Sequence, residues 1–331
     1  MHASELWGSD SPKAKLARLG LTPLSALYAL GWEGYLAMYR LGIKQAQEPH
    51  CPVLCVGNLV VGGAGKSPLT LHLAQLLRDM GREVVIGCSG YGGPHAEAAA
   101  LAPSGPLSSR EWGDEPAMFR WLLPDVPLVV GRRRVLAAEL VQRSHPNAVL
   151  VMDDGFQHLP VRKHVTLLLD EPNPKNSLCL PAGPYREPRW NRRRADEVLP
   201  GRFRVESEPL CIARPDGETV SPPVEYALLC ALGQPQRFIE AVESATRRAA
   251  TPAIRLADHD PLDAGTLLER LPTDRPTIVT AKDWVKLRER ADLGEREWLI
   301  ARHSVRVEPA IEFRQWLDAK LDGRSSKTAT E

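Results

Sequence analysis

The sequence predicts an α/β fold in which a parallel sheet is covered by helices on both faces and is followed by a smaller C-terminal α/β lobe. Three observations predict it. From residue 52 onward, short wholly apolar runs alternate with helical patterns, as strands buried on both faces require. A glycine-rich loop joins the first run to the first helix. A second alternating series begins at residue 226, after a Pro- and Arg-rich stretch at 171–223. The 331 residues suit two domains at about 150 residues each. With 43% hydrophobic and 25% charged residues, wholesale disorder is excluded. Lys and Arg number 42 against 41 Asp and Glu, so a net charge of +1 supplies no field for nucleic acid, and none is expected as a partner. No obligate protein partner is expected either. Six scattered cysteines without a CxxC or zinc spacing, and no basic segment ahead of an apolar core at the start, point to a reducing, cytoplasmic compartment.

Taken in order, the chain first shows LTPLSALYALGWEGYLAMY at 21–39, its longest apolar stretch, flanked by Lys13, Lys15, Arg18, Arg40 and Lys44. Leu24, Leu27, Tyr28, Gly31, Tyr35 and Tyr39 fall at helical spacing, which suits a helix lying in a membrane interface or one packed on the protein's own core. PVLCVG (52–57), the helical SPLTLHLAQLLRDMG with its closing Gly81, and EVVIGC (83–88) then form a βαβ unit. Strands follow at 127–130, 148–152 and 164–170, with helices near 115–123 and 132–143. The second lobe has strands at 226–233, 277–280 and 298–300 and a last helix near 309–321. The expected division is therefore 1–48 (N-terminal helix region), 49–222 (core domain), 223–322 (C-terminal lobe) and 323–331 (disordered tail).

The loop GNLVVGGAGKSP (57–68) marks the sheet as P-loop NTPase-like. Gly62, Gly63 and Gly65 let the backbone turn N–H groups toward a phosphate, Lys66 adds a cation, and Ser67 offers an oxygen to Mg²⁺ at the helix N-terminus. Val60 stands where a strict Walker A needs glycine. VLVMDDG (149–155) puts Asp153 and Asp154 at the C-terminal end of a strand, where one of them is placed to hold Mg²⁺, or both simply form an acidic turn. Asp114 suits either a helix N-cap or a base for an attacking hydroxyl, and His259 in LADHDPLD either a partner for that base or a polar loop residue. Arg132 to Arg134 and the run REPRWNRRR suit phosphate or lipid headgroups, or solvated loop charge.

The ordered strings GNLVVGGAGKSP, CSGYGG, GDEP, DDGFQH, LPAGPYREP, ALGQPQRF, ADHD and TAKDWVKL resemble the tetraacyldisaccharide 4'-kinases, the lipid A 4'-kinases of Gram-negative bacteria, over about residues 22–320. That resemblance implies ATP and Mg²⁺ as cofactors and phosphorylation of the 4'-hydroxyl of tetraacyldisaccharide 1-phosphate to the lipid IVA bisphosphate. It further implies a peripheral or monotopic placement on the cytoplasmic face of the inner membrane, with the N-terminal helix docking on the membrane surface. Gly62, Gly63, Ala64, Gly65, Lys66, Ser67 and Pro68 become the nucleotide site, and Ser67, Asp153 and Asp154 the metal site. Asp114 becomes the catalytic base and His259 its partner, with Gln157 and His158 beside the carboxylates. The chain departs from the family where Ser89 replaces an arginine, Ala281 a glutamate and Ser67 a threonine. A regulatory P-loop GTPase or metal-chaperone switch is the competing reading. It needs a guanine-reading NKxD, and TAKD at 280–283 lacks the asparagine.

Overall fold

The computed structural model describes residues 3–63 and 65–323. The expected tail therefore lies outside the described residues from 324 on, as does Ala64. Two helices lead, α1 (Ala3–Gly8) and α2 (Pro12–Arg40). Helix α2 starts well before the apolar stretch because Ser11 accepts a hydrogen bond from Ala14 N and Pro12 occupies the first turn. One face of α2 is docked. Ser25 donates to Cys179 O at 2.7 Å, Tyr28 donates to Arg186 O at 2.7 Å, and Glu33 accepts from Trp190 Nε1 at 2.9 Å and Asn191 Nδ2 at 2.8 Å. The other face exposes Leu16, Leu19, Leu24, Leu27 and Leu30, each by more than half. Among the described residues no helix is long and apolar enough to cross a membrane.

The first lobe runs β1 (Val53–Asn58), α3 (Lys66–Asp79), β2 (Val84–Cys88), β3 (Ala100–Leu101), α4 (Ser109–Trp112), α5 (Asp114–Leu122), β4 (Leu128–Val130), α6 (Arg134–Ser144), β5 (Val149–Asp153), β6 (Val165–Leu169) and β7 (Glu197–Leu199). Its sheet has the order β3-β4-β2-β5-β1-β6-β7, parallel except at the β3 edge. Leu69, Leu73 and Leu77 of α3, at helical spacing, cover one face with Ala117 and Phe119 of α5. Ala137, Ala138 and Val141 of α6 cover the other. The parallel, doubly covered sheet expected from the apolar runs is thus present.

The rest of the chain builds β8 (Arg204–Ser207), β9 (Cys211–Ala213), β10 (Ala227–Ala231), α7 (Pro235–Thr246), β11 (Ala253–Leu256), β12 (Thr277–Thr280), α8 (Ala281–Leu287), β13 (Trp298–Arg302), β14 (Val305–Glu308) and α9 (Ala310–Asp322). A five-stranded sheet of order β11-β10-β12-β13-β9 carries the second lobe. Residues 305–322, assigned from sequence to that lobe, belong instead to the first. The antiparallel pair β14-β8 and α9 place Val305, Val307, Phe313, Leu317 and Leu321 in the core of the first sheet, because α9 presents an apolar face that the second sheet leaves uncovered. Met118, Trp121 and Leu122 of α5 pack against the second-lobe core, so α5 belongs to both lobes. All six cysteines are free and five are buried, as small apolar side chains usually are.

His164 contributes a pH-dependent term to this fold. Its Nδ1 accepts Val53 N–H at 3.0 Å and its own N–H donates to Val53 O at 2.8 Å, an arrangement that needs the neutral ring. Burial, reinforced by Arg162, lowers its pKa from 6.5 to about 4. The unfolded chain therefore binds a proton that the fold refuses between those values, and stability falls as pH drops from 6.5 toward 4. Urea titrations across that window are expected to show the slope in the native protein and a shallower one in His164→Gln; equal slopes would remove His164 as its source.

Candidate active site

Strand register sets the site. In β1 and β5, paired in parallel, Val56 stands opposite Asp153, so the glycine-rich loop and the Asp153–Asp154 turn leave the sheet at the same edge. A Cβ on Gly57 would lie 2.5 Å from Phe156 Cβ; glycine there lets the acidic turn close onto β1. Gly65, at φ +75°, caps α3 without a side chain, and Gly62 turns the loop at φ +105°. A Cβ on Gly62, Gly63 or Gly65 would meet nothing within 4 Å. The first-turn N–H groups of α3 thus face open space that fits a phosphate, with Ser67 and Pro68 in that turn.

Lys66 is held over this edge. It donates to Asn58 Oδ1 at 3.2 Å and lies 3.6 Å from Asp154 Oδ1. Asp154, at φ +51°, is also gripped by Arg186, whose Nη1 lies 2.9 Å from both carboxylate oxygens. Burial would push Asp154 up, but Lys66 and Arg186 outweigh it and hold the carboxyl below its ordinary range. Asp153 behaves differently. It is 1% exposed, and burial, with the charge of Glu115 adding to it, pushes its pKa to about 7. Its Oδ1 accepts from Thr70 at 2.8 Å, its carbonyl accepts from Arg134 at 2.6 Å, and its Oδ2 has no hydrogen-bond partner.

The segment 178–188 braces the loop from the other side. Val61 N donates to Pro184 O at 2.9 Å and Arg186 N to Leu59 O at 2.7 Å. Gln157 donates to Asn58 O and to Glu187 Oε1, each at 3.0 Å, and the fully buried Glu187 also pairs with Arg194. An open cavity of about 270 Å³ lies beside this frame, lined by Tyr28, Trp32, Ser89, Arg134, Asp154, Gln157, His158 and Arg186.

Asp114 is the first residue of α5, and Gly113 takes the cap position without a side-chain bond. Its carboxylate is directed across the lobe boundary, with Oδ2 3.3 Å from His259 Nδ1 and 3.7 Å from Lys286 Nζ. Burial acts to raise its pKa, but the His259 hydrogen bond and the Lys286 and Lys282 charges prevail and keep it ionised. The ring of Tyr91 stands edge-on to His259 at 5.9 Å.

A carboxylate paired with a histidine, set near a phosphate loop and two strand-end aspartates, is the layout of a phosphoryl-transfer site. The sequence pattern of LpxK, tetraacyldisaccharide-1-P 4'-kinase, matches residues 17–322. The chain belongs to that family. Similar tetraacyldisaccharide 4'-kinases include that of Shewanella woodyi, 33% identical over 85% of this chain and 84% of its own. That of Shewanella baltica strain OS185 is 31% identical over 96% and 94%. A crystal structure of LpxK from Aquifex aeolicus in complex with ATP superposes with a TM-score of 0.79 and 26% identity, over 92% of this chain and 99% of that one. The family, fold and kinase activity read from the eight ordered strings are therefore borne out.

Within this chain the structure brings together Lys66 with Asp154 and Asp114 with His259, pairs that no local spacing joins. Arg134 and Arg186 were read from sequence only within two arginine clusters suited to phosphate or lipid headgroups, Glu187 only as part of the second cluster, and Lys286 only within TAKDWVKL, as part of a resemblance. The arginine clusters are mostly internal. Arg189 and Arg192 pair with the buried Asp170 at 2.9 and 3.2 Å, Arg194 with Glu187, and Arg186 with Asp154. Glu187→Ala would strip Arg194 and Gln157 of a shared buried acceptor, and a loss of about 3 kcal/mol is expected in urea denaturation. An unchanged midpoint would mean that this brace carries no load.

Proposed function

We propose that Lys66, Asp114, His259 and Asp153 carry the transfer of the γ-phosphoryl group of ATP to the 4'-hydroxyl of tetraacyldisaccharide 1-phosphate. The observation that carries the reading is the Asp114–His259 contact of 3.3 Å, an ionised carboxylate and an imidazole brought together across two lobes. Asp114 accepts the proton of the attacking hydroxyl, and His259 fixes the orientation of the carboxylate. The α3 N-terminus and Lys66 hold the phosphate chain in line with that hydroxyl, since positioning and charge neutralisation supply most of phosphoryl-transfer catalysis.

Mg²⁺ fits the donor set as an oxygen-seeking cation. Asp153 offers a buried oxygen without a partner, whereas both oxygens of Asp154 are taken by Arg186. Asp153 and Ser67 would therefore hold the metal, with Asp154 keeping Lys66 and Arg186 in place. When bound, it would neutralise negative charge on the phosphates of the nucleotide.

The exposed leucines of α2, with Lys13, Lys15, Arg18, Arg40 and Lys44 near them, suit an interfacial helix on an anionic lipid surface, which on this reading is the cytoplasmic face of the inner membrane. The acyl chains of the substrate stay in the lipid while the sugar headgroup meets the loop.

Transfer of labelled γ-phosphate from ATP to tetraacyldisaccharide 1-phosphate in detergent micelles tests the chemistry. Wild type is expected to transfer, Lys66→Ala to lose transfer, and Asp114→Asn to lose about a hundred- to ten-thousand-fold in kcat. Normal turnover in Asp114→Asn would overturn the base assignment. No transfer by folded, ATP-binding wild type would point to Ser89 and Ala281 and to a different acceptor. For the membrane, the triple variant Leu19→Gln, Leu27→Gln, Leu30→Gln is expected to bind anionic vesicles more than about ten-fold more weakly, at about 1 kcal/mol per leucine. Undiminished flotation with vesicles would dismiss the docking face.

A further inference from the structure

Lys286 is a buried lysine, 7% exposed, at the junction of the lobes. Its ammonium makes three contacts on three different segments. It donates to the carbonyl of Asp260 at 2.6 Å, lies 3.7 Å from Asp114 Oδ2, and lies 3.6 Å from Asp283 Oδ1 one turn back on α8. The Asp260 carbonyl belongs to the loop that carries His259, which stands in the left-handed region at φ +62°. The same cation therefore touches the carboxylate of one lobe and the histidine-bearing loop of the other. Asp283 is fully buried; its Oδ2 accepts from Thr280 at 2.8 Å and from Ala231 N at 3.2 Å, while its Oδ1 has no hydrogen bond. That oxygen anchors the ammonium from behind.

We propose that Lys286 is a positioning residue of the transfer site, fixing the Asp114 carboxylate and the His259 loop in a single arrangement across the lobe boundary. The inference rests on the reading of Asp114 as the base. A cation within 4 Å in a buried setting favours the charged carboxylate, and with that cation removed burial is opposed by His259 and Lys282 alone, so the proton of Asp114 is held to higher pH. The groups facing Asp114 are His259, with Tyr91 behind it, and Lys282 and Lys286 of α8, with Asp283 behind Lys286 and Asp258 paired to Lys282 at 3.9 Å. Glu115 on α5 and Arg110 and Glu111 on the adjoining α4 complete the charged groups at that end of the helix. Lys282, less buried than Lys286, also lies 3.3 Å from His259 Nε2, whereas it is Lys286 that holds the Asp260 carbonyl.

Lys286→Met alone leaves Asp283 as an uncompensated buried charge, so folding and function would change together. The charge-balanced double variant Lys286→Met, Asp283→Asn avoids this, and Lys286→Arg keeps the cation. Each is to be assayed for kcat and for KM toward ATP from pH 4 to 8.5, with thermal denaturation at each pH and Asp114→Asn alongside. The double variant is expected to move the acid limb of kcat upward by about one pH unit, a loss that grows toward the acid end and vanishes toward neutral pH, with KM for ATP unchanged. Lys286→Arg is expected to restore the acid limb toward wild type. A folded double variant with the wild-type acid limb, or a Lys286→Arg variant that shares the upward shift, would overturn the inference. If Asp114→Asn keeps normal turnover, the base reading fails and the inference with it. If Asp114→Asn is crippled while the lysine variants follow the wild-type profile, only the inference fails.

Discussion

The parallel pairing of β1 with β5, with Val56 opposite Asp153, is the constraint on which the site depends. Side chains alternate along a strand, so a slip of one residue would carry Asp153 to the other face and bury the wrong set of apolar groups on both sides of the sheet. With the register as it is, two local features become one site: the loop after β1 delivers Lys66, and the turn after β5 delivers Asp154, 3.6 Å away. Gly57 permits the close approach, since any side chain there would collide with Phe156. The segment 178–188 then bonds to Leu59 and Val61, so Arg186 reaches Asp154 from a third direction. The cations on Asp154 leave the more buried Asp153 as the carboxylate with an unused oxygen.

The second constraint is that the lobes are not independent bodies. Helix α5 lends Ala117 and Phe119 to one core and Met118, Trp121 and Leu122 to the other, while β14 and α9 return to cover the first sheet. Asp114 heads this shared helix. Further bonds close the same boundary: Arg288 donates to Leu107 O at 2.9 Å, Trp121 to Pro215 O at 3.3 Å, and Ser109 N to Glu289. A carboxylate and a histidine contributed by different lobes keep a 3.3 Å contact only where packing resists sliding, and a helix buried on both sides does so.

What the sequence made legible was local. The βαβ unit, the loop and the acidic strand end are each written in a few consecutive residues, because strand burial, glycine and helix periodicity act over short spans. The pairing of Asp114 with His259, far apart in the chain, was expected chiefly from the family resemblance, and Lys286, whose partners sit in three separate segments, was not singled out at all. REPRWNRRR reads as a headgroup site because its carboxylate partners, Asp154, Asp170 and Glu187, lie mostly outside the run; folding pairs most of that charge with them. Helix α7 and strand β11 were passed over for another reason: Ala253–Leu256 is four residues long and contains Arg255, too short and too polar to stand out. The division at 322 missed the return of α9, since an amphipathic helix specifies that one face is covered and not which sheet covers it.

Helix α2 links the two ends of the proposed chemistry. Its inner face carries Tyr28 and Trp32, which line the same cavity as Asp154 and Arg186, and its outer face carries the exposed leucines. An α-helix is about 10 Å across with its side chains. A lipid whose acyl chains remain beyond the leucines therefore needs only the reach of its sugar headgroup past one helix to bring a hydroxyl toward the phosphate loop. On the proposed reading that geometry would relieve the protein of enclosing the acyl chains, in keeping with an open cavity of about 270 Å³, too small to enclose four chains. The polar bonds of α2 to Cys179, Arg186, Trp190 and Asn191 set its distance from the site. On the proposed reading the helix would thus serve as a spacer as well as an anchor.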